Sequence, residues 1–293
     1  MAEANMSISE LVRMHDEEPD RAAQGLRAMA AAGVAEQDMP QFAWLVNHVI
    51  GEKQGAWREA LQLQQALPAG GPLVLRLQRA AAALLAGEAV EAWALQARIA
   101  GEAQVPPDQA RAAVQLRAMQ YLAERAEPCD FAAALRDCVQ SVPSGAGTGK
   151  LGAALATSMN NTVSALVERE DLPVNDPDVS ATLLEGAQAA RRLWGDAGNW
   201  TNHERADYLI ALCGNRVGEW AVALQAARNG IATIEANGSE DVDRAFLLLE
   251  VARASHGLGD EATRASAKAE AMKLAESFDA SLHDWFNGCA KRA

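Results

Sequence analysis

One segment of the 293-residue chain has the residue types of a phosphate-binding loop: Gly145-Ala-Gly-Thr-Gly149-Lys150. In such a loop glycine N–H groups cradle phosphate oxygens and the lysine reaches them. The spacing argues against that chemistry here. The pattern needs a glycine where Ser144 stands and a magnesium-binding Ser or Thr where Leu151 stands. It also needs a preceding buried strand, whereas residues 131–142 read as helix. An ordinary glycine linker is the expectation.

The five histidines are His15, His48, His203, His256 and His283. None forms H-E-x-x-H, and none has a second His or Cys at helical ligand spacing, so no metal site is expected. His203 beside Glu204 and Arg205 reads as a polar helix start, and His283 with Cys289 makes no persuasive metal pair. Cys129, Cys138, Cys213 and Cys289 form no C-x-x-C pair and suggest reduced thiols in a cytoplasmic protein. There is no Gly-x-Ser-x-Gly elbow, and the Asp16-Glu17-Glu18 run reads as a solvated face. No enzyme and no cofactor is expected.

The elements that would position any site are helices. The composition is 49% apolar with only 5% aromatic residues, so Ala and Leu carry the apolar content. Both are strong helix formers. Period-two alternation of β-branched residues is almost absent, which leaves little to build a sheet from. A formal charge of −13 argues against nucleic acid, since Lys and Arg must neutralise phosphates, and against anionic membranes. No run of about 18 apolar residues spans a bilayer, and the acidic N-terminus does not read as a secretory signal.

Helix punctuation is frequent. Ser7-Ile-Ser-Glu10 reads as a capping box, and so does Thr201-x-x-Glu204, which would start a helix at Asn202. Pro19, Pro40, Pro72 and Pro177 suit first turns. The expected organisation is helical hairpins over 1–143, a Gly-rich linker at 144–150, and further hairpins over 151–293. A last helix at about 281–290, carrying Leu282, Trp285 and Phe286, would cap the core's open end, or dock into the groove or onto a second copy through exposed aromatic edges.

A short phrase recurs in these surroundings. It appears as Gly55-Ala-Trp57-Arg-Glu-Ala60-Leu61 and as Gly218-Glu-Trp220-Ala-Val-Ala223-Leu224, with a weaker cousin at Gly87-Glu-Ala-Val-Glu-Ala92-Trp93. Residues 41–74, with Trp44, Gly55, Trp57, Ala60 and Pro72, resemble the tetratricopeptide repeat family, whose unit is a helix–turn–helix of about 34 residues. Units at about 204–237 and 245–278 share the resemblance, the former lacking the closing proline. Residues 100–200 are too degenerate to align. The resemblance implies an all-α fold, an α-α superhelix (solenoid) of about six or seven antiparallel helix pairs.

In that family the first helix of each pair lines a concave groove that holds a peptide or a partner's helix. The resemblance therefore places Arg205, Tyr208, Leu212, Asn215 and Arg216 on that face. In the 41–74 unit it places Phe42, Leu45, Val49 and Lys53 there, and in the last unit Phe246, Leu249, Arg253 and His256. For Phe42, Leu45 and Val49 burial in the core is the favoured alternative. For Arg205, Asn215 and Arg216 a solvated surface is the equal alternative. The function expected is that of a scaffold or adaptor with a protein or peptide partner, with a homodimer allowed. A ligand- or peptide-sensing regulatory protein is the alternative, and an enzyme with a site assembled between helices is the second.

Overall fold

The computed structural model describes residues 6–68, 71–143 and 145–293. It is all-α, with no strand among the described residues, and its helices pack on their chain neighbours in the manner of an α-α superhelix. Contacts divide the chain into two compact units that meet in sequence at Arg125 and Ala126.

The first unit holds α1 (Ile8–Met14), α2 (Pro19–Ala32), α3 (Met39–Leu45), α4 (Trp57–Gln65), α5 (Leu73–Leu85), α6 (Ala89–Ala103) and α7 (Pro107–Gln120). α3 continues without a break into a π-helix, Val46–Lys53. Short turns make successive helices antiparallel. α3 also packs on α1 and α5, and α5 on α7, so alternate helices form one layer and α2, α4 and α6 back it. Phe42, Leu45, Val46, Val49 and Ile50 are buried at the centre. The favoured core reading of Phe42, Leu45 and Val49 therefore holds.

The second unit holds α8 (Pro128–Ser141), α9 (Gly152–Val167), α10 (Pro177–Ala197), α11 (Trp200–Val217), α12 (Trp220–Asn237), α13 (Asp241–Gly257), α14 (Glu261–Ala275) and α15 (Ala280–Ala290). Here α9, α11, α13 and α15 pack in succession, backed by α10, α12 and α14. The pairs α11–α12 and α13–α14 coincide with the units expected at 204–237 and 245–278. Their turns are made by Gly218 and Gly259, at φ 82° and 78°. That left-handed backbone is one a side chain rarely tolerates, so the recurring glycine is a conformational requirement. Within α11–α12 the backbones approach closely: a Cβ on Gly214 would stand 3.0 Å from the Cβ of Ala223. The small residue of the recurring phrase thus lies at the closest approach.

Phe286 of α15 is fully buried against Phe246 and Phe278, with ring centroids at 5.5 and 5.6 Å. Removing a buried Phe from such a site costs about 3–5 kcal/mol. The Gly-rich segment lies inside this unit. Ala146–Thr148 forms a 3-10 turn packed on α9 and α10, with Ala146 and Gly147 buried.

One local expectation needs correction. The cap of α11 is Asn199, not Thr201: its Oδ1 accepts from the N–H groups of Thr201 and Asn202 at 3.0 and 3.2 Å, and Asn202 Oδ1 returns a bond to the Asn199 N–H. The helix consequently starts at Trp200, which carries Glu204 inside, where it is buried. The Ser7–Glu10 box forms as expected. Among the described residues no helix is long and apolar enough to cross a membrane.

Candidate functional site

Residues 208, 212, 215 and 216 fall at i, i+4, i+7 and i+8 on α11, which places them on one face. α11 lies between α9 and α13, so this face looks into the angle between those helices. It lines a cleft of about 540 Å³. Tyr208, Leu212, Asn215 and Arg216 form one wall, with Arg253 from α13, and Trp285, Cys289 and Arg292 from α15 and its end. Val167, Glu168 and Glu170, at the end of α9 and just beyond it, complete the lining.

The polar groups are held in place from behind. Asn215 Nδ2 donates to the backbone oxygen of Glu250 at 3.0 Å and to its Oε2 at 2.8 Å. Arg253 Nη1 donates to the other Glu250 carboxyl oxygen at 2.7 Å, and its Nη2 to the Cys289 carbonyl at 3.0 Å. Arg216 Nη2 donates to the carbonyl of Arg169 at 2.9 Å. Burial pushes the Glu250 carboxyl upward in pKa, while Arg253 and Asn215 pull it down. Asn215 Oδ1 and Arg253 Nε are buried without a hydrogen-bond partner. Leaving such a group unpaired costs about 1–3 kcal/mol.

Trp285 supplies the apolar element. It is 59% exposed, an unusual state for indole, and leans on Phe246 with ring centroids 4.5 Å apart. The cleft therefore offers an exposed indole, three guanidinium groups, two carboxylates and an amide. That inventory can hold an extended or helical peptide, whose polar backbone needs fixed partners and whose side chains need an apolar anchor.

The structure thus brings Tyr208, Leu212, Asn215, Arg216 and Arg253 to one place. Arg205 lies one turn nearer the start of α11, outside that lining, with Nε 2.8 Å from Asp243 Oδ2. Lys53 is in the first unit, with Nζ 2.5 Å from Asp16 Oδ1. Phe246 and Leu249 are core residues of the second unit, and His256 is exposed with Nδ1 2.7 Å from Glu261. The α9 and α15 contributions were missing from the repeat phasing, because neither helix lies in a unit that could be aligned. Trp285 was visible as an aromatic of a capping helix. Its place in the lining matches the alternative in which that helix docks into the groove.

Two other groups of polar residues have defined surroundings. Glu204 is fully buried on α11, and burial, with the nearby Asp243 carboxyl adding to it, raises its pKa to about 9. In the first unit His15, Asp16 and His48 converge, with one ligand atom from each within 4.8 Å of the others, and form the one such group of donors among the described residues. Lys150 sits in the turn before α9, and the element preceding the glycine segment is helix α8, as the sequence indicates.

No protein-family model matches this sequence, and no curated protein matches it either.

Proposed function

We propose that this chain is a protein–protein interaction scaffold or adaptor of tetratricopeptide-like hairpins, which binds a peptide or a partner's helix in the cleft of its second unit. The observation that carries this reading is the convergence of Tyr208, Leu212, Asn215, Arg216 and Arg253 on one cleft beside the exposed indole of Trp285. Trp285 acts as the apolar anchor, since aromatic residues in a pocket dominate binding free energy. Asn215, held by Glu250, fixes the polar wall of the cleft. Arg216 sets orientation through a ligand carboxylate. The role is binding, with no chemical step.

Selection from a random peptide library on the immobilised full chain tests this. Wild type is expected to enrich a consensus containing an apolar anchor and an acidic residue. The Trp285→Ala/Arg216→Glu variant is expected to lose it, and Arg205→Gln, outside the cleft, to keep it. No consensus from wild type, or the same consensus from the double variant, would remove the cleft as the site.

A further inference from the structure

The first unit carries a second constellation, independent of the cleft. His15 caps the end of α1, Asp16 follows it in the turn, and His48 projects from the π-helix. His15 Nε2 stands 3.4 Å from Asp16 Oδ2, and His48 Nε2 stands 3.6 Å from Asp16 Oδ1. We propose that His15, Asp16 and His48 bind a divalent transition-metal ion of the zinc class.

The spacing is the first reason. Zinc bound at about 2.0–2.1 Å by nitrogen and oxygen places neighbouring tetrahedral donors about 3.3–3.4 Å apart. His15 Nε2 stands within a few tenths of an ångström of such an edge from one Asp16 oxygen, and His48 Nε2 from the other. Hydrogen bonds are the second. His15 Nδ1 is 2.5 Å from the Val12 carbonyl oxygen, and His48 Nδ1 is 2.6 Å from Glu52 Oε2. In a neutral imidazole, a carbonyl or carboxylate acceptor calls for the N–H on Nδ1, and the Nε2 lone pair then faces the Asp16 carboxylate. Two lone pairs facing a carboxylate repel unless a cation or a proton lies between them. A carboxylate or carbonyl behind each ligating imidazole is the arrangement that fixes tautomer and ring orientation at metal centres.

Rigid support is the third reason. Trp44 stacks on His48 with centroids 5.6 Å apart and planes 5° from parallel, and meets His15 edge-on at 5.3 Å. The backbone that presents His48 and Glu52 is the π-helix, with Gln54 N–H donating to the Val49 carbonyl. Such wide turns interrupt helices at a local energetic cost and are frequent at functional sites. Asp16 is 67% exposed, so an ion has an entry path and a free position for water. Lys53 Nζ already neutralises Asp16 Oδ1 and competes for the carboxylate.

Three variants, two expected to weaken binding and one to strengthen it, test the site on the full chain. Co(II) titration, read by the visible bands of tetrahedral cobalt and by quenching of Trp44, is followed by displacement with Zn(II). Wild type is expected to bind one ion per chain, Asp16→Asn and His15→Gln/His48→Gln to lose at least tenfold in affinity, and Lys53→Met to gain severalfold. A gain on removing Lys53 is not the result of mere loss of folding, and Asp16→Asn alters an exposed side chain. Equal Co(II) and Zn(II) affinity in wild type and in both liganding variants would overturn the proposal, as would an unchanged or weaker affinity in Lys53→Met.

Discussion

Asn215 on α11 donates through one amide nitrogen to both the backbone oxygen and the carboxyl of Glu250 on α13. The first unit repeats the arrangement: Asn47 Nδ2 donates to the backbone oxygen of Gln78 at 3.0 Å and to its Oε1 at 2.9 Å. In each case the acceptor stands on the first helix of the next pair. Gln78 and Glu250 also hold the same place in sequence, nine residues before the turn glycines Gly87 and Gly259. One buried amide thus ties successive hairpins together in both units. Asn215→Ala is expected to cost about 1–3 kcal/mol, because it leaves buried acceptors on Glu250 unpaired. Urea unfolding measures it, and a change within about 0.5 kcal/mol would mean that the bond contributes nothing to packing.

Glu204 predicts a pH dependence. Its pKa of about 9 in the folded chain lies above the ordinary 4.5. Between those values the folded state holds a proton that the unfolded state releases, so stability is full below about 4.5 and falls as pH rises towards 9. Glu204→Gln keeps the neutral shape and removes the titration. The variant is expected to equal wild type at about pH 5 and to exceed it increasingly towards pH 8.5, read by urea midpoints. Curves that stay parallel across that range would contradict a buried, protonated Glu204.

Gly218, at φ 82°, ends α11 and turns the chain into α12. Gly218→Ala is expected to destabilise by about 1–2 kcal/mol, since a Cβ is strained in the left-handed region. Thermal unfolding of the full chain reads this. Gly288→Ala, with nothing within 4 Å of the new carbon and ordinary helical backbone, is the neutral or stabilising control.

The hairpins at 200–237 and 241–275 were legible because apolar spacing, turn glycines and small residues all pointed to the same helix pairs. The face of α11 followed from the family resemblance, which placed Tyr208, Leu212, Asn215 and Arg216 on it together with Arg205, which lies outside the cleft lining. The π-helix was not legible, because a shift of backbone hydrogen bonds such as that from Gln54 N–H to the Val49 carbonyl has no signature in side-chain type or spacing. Nor was the His15–His48 pair, since ligand spacing within one helix is readable and a meeting of two helices across 32 intervening residues is not. The cap at Asn199 was hidden by a competing Ser/Thr-x-x-Glu pattern, which starts the helix two residues later, at Asn202.

Trp285→Ala is expected to leave stability within about 1 kcal/mol of wild type, because the ring is largely exposed. A larger loss, measured by urea unfolding, would make Trp285 a structural residue of α15 and would weaken its role as an anchor.

Calorimetric titration of the full chain with the peptide enriched by wild type tests the central claim most directly. Trp285→Ala/Arg216→Glu is expected to bind at least tenfold more weakly while keeping the wild-type helical signal. Arg205→Gln is expected to bind like wild type. Equal affinity of wild type and the double variant would contradict recognition in the cleft between α9, α11, α13 and α15.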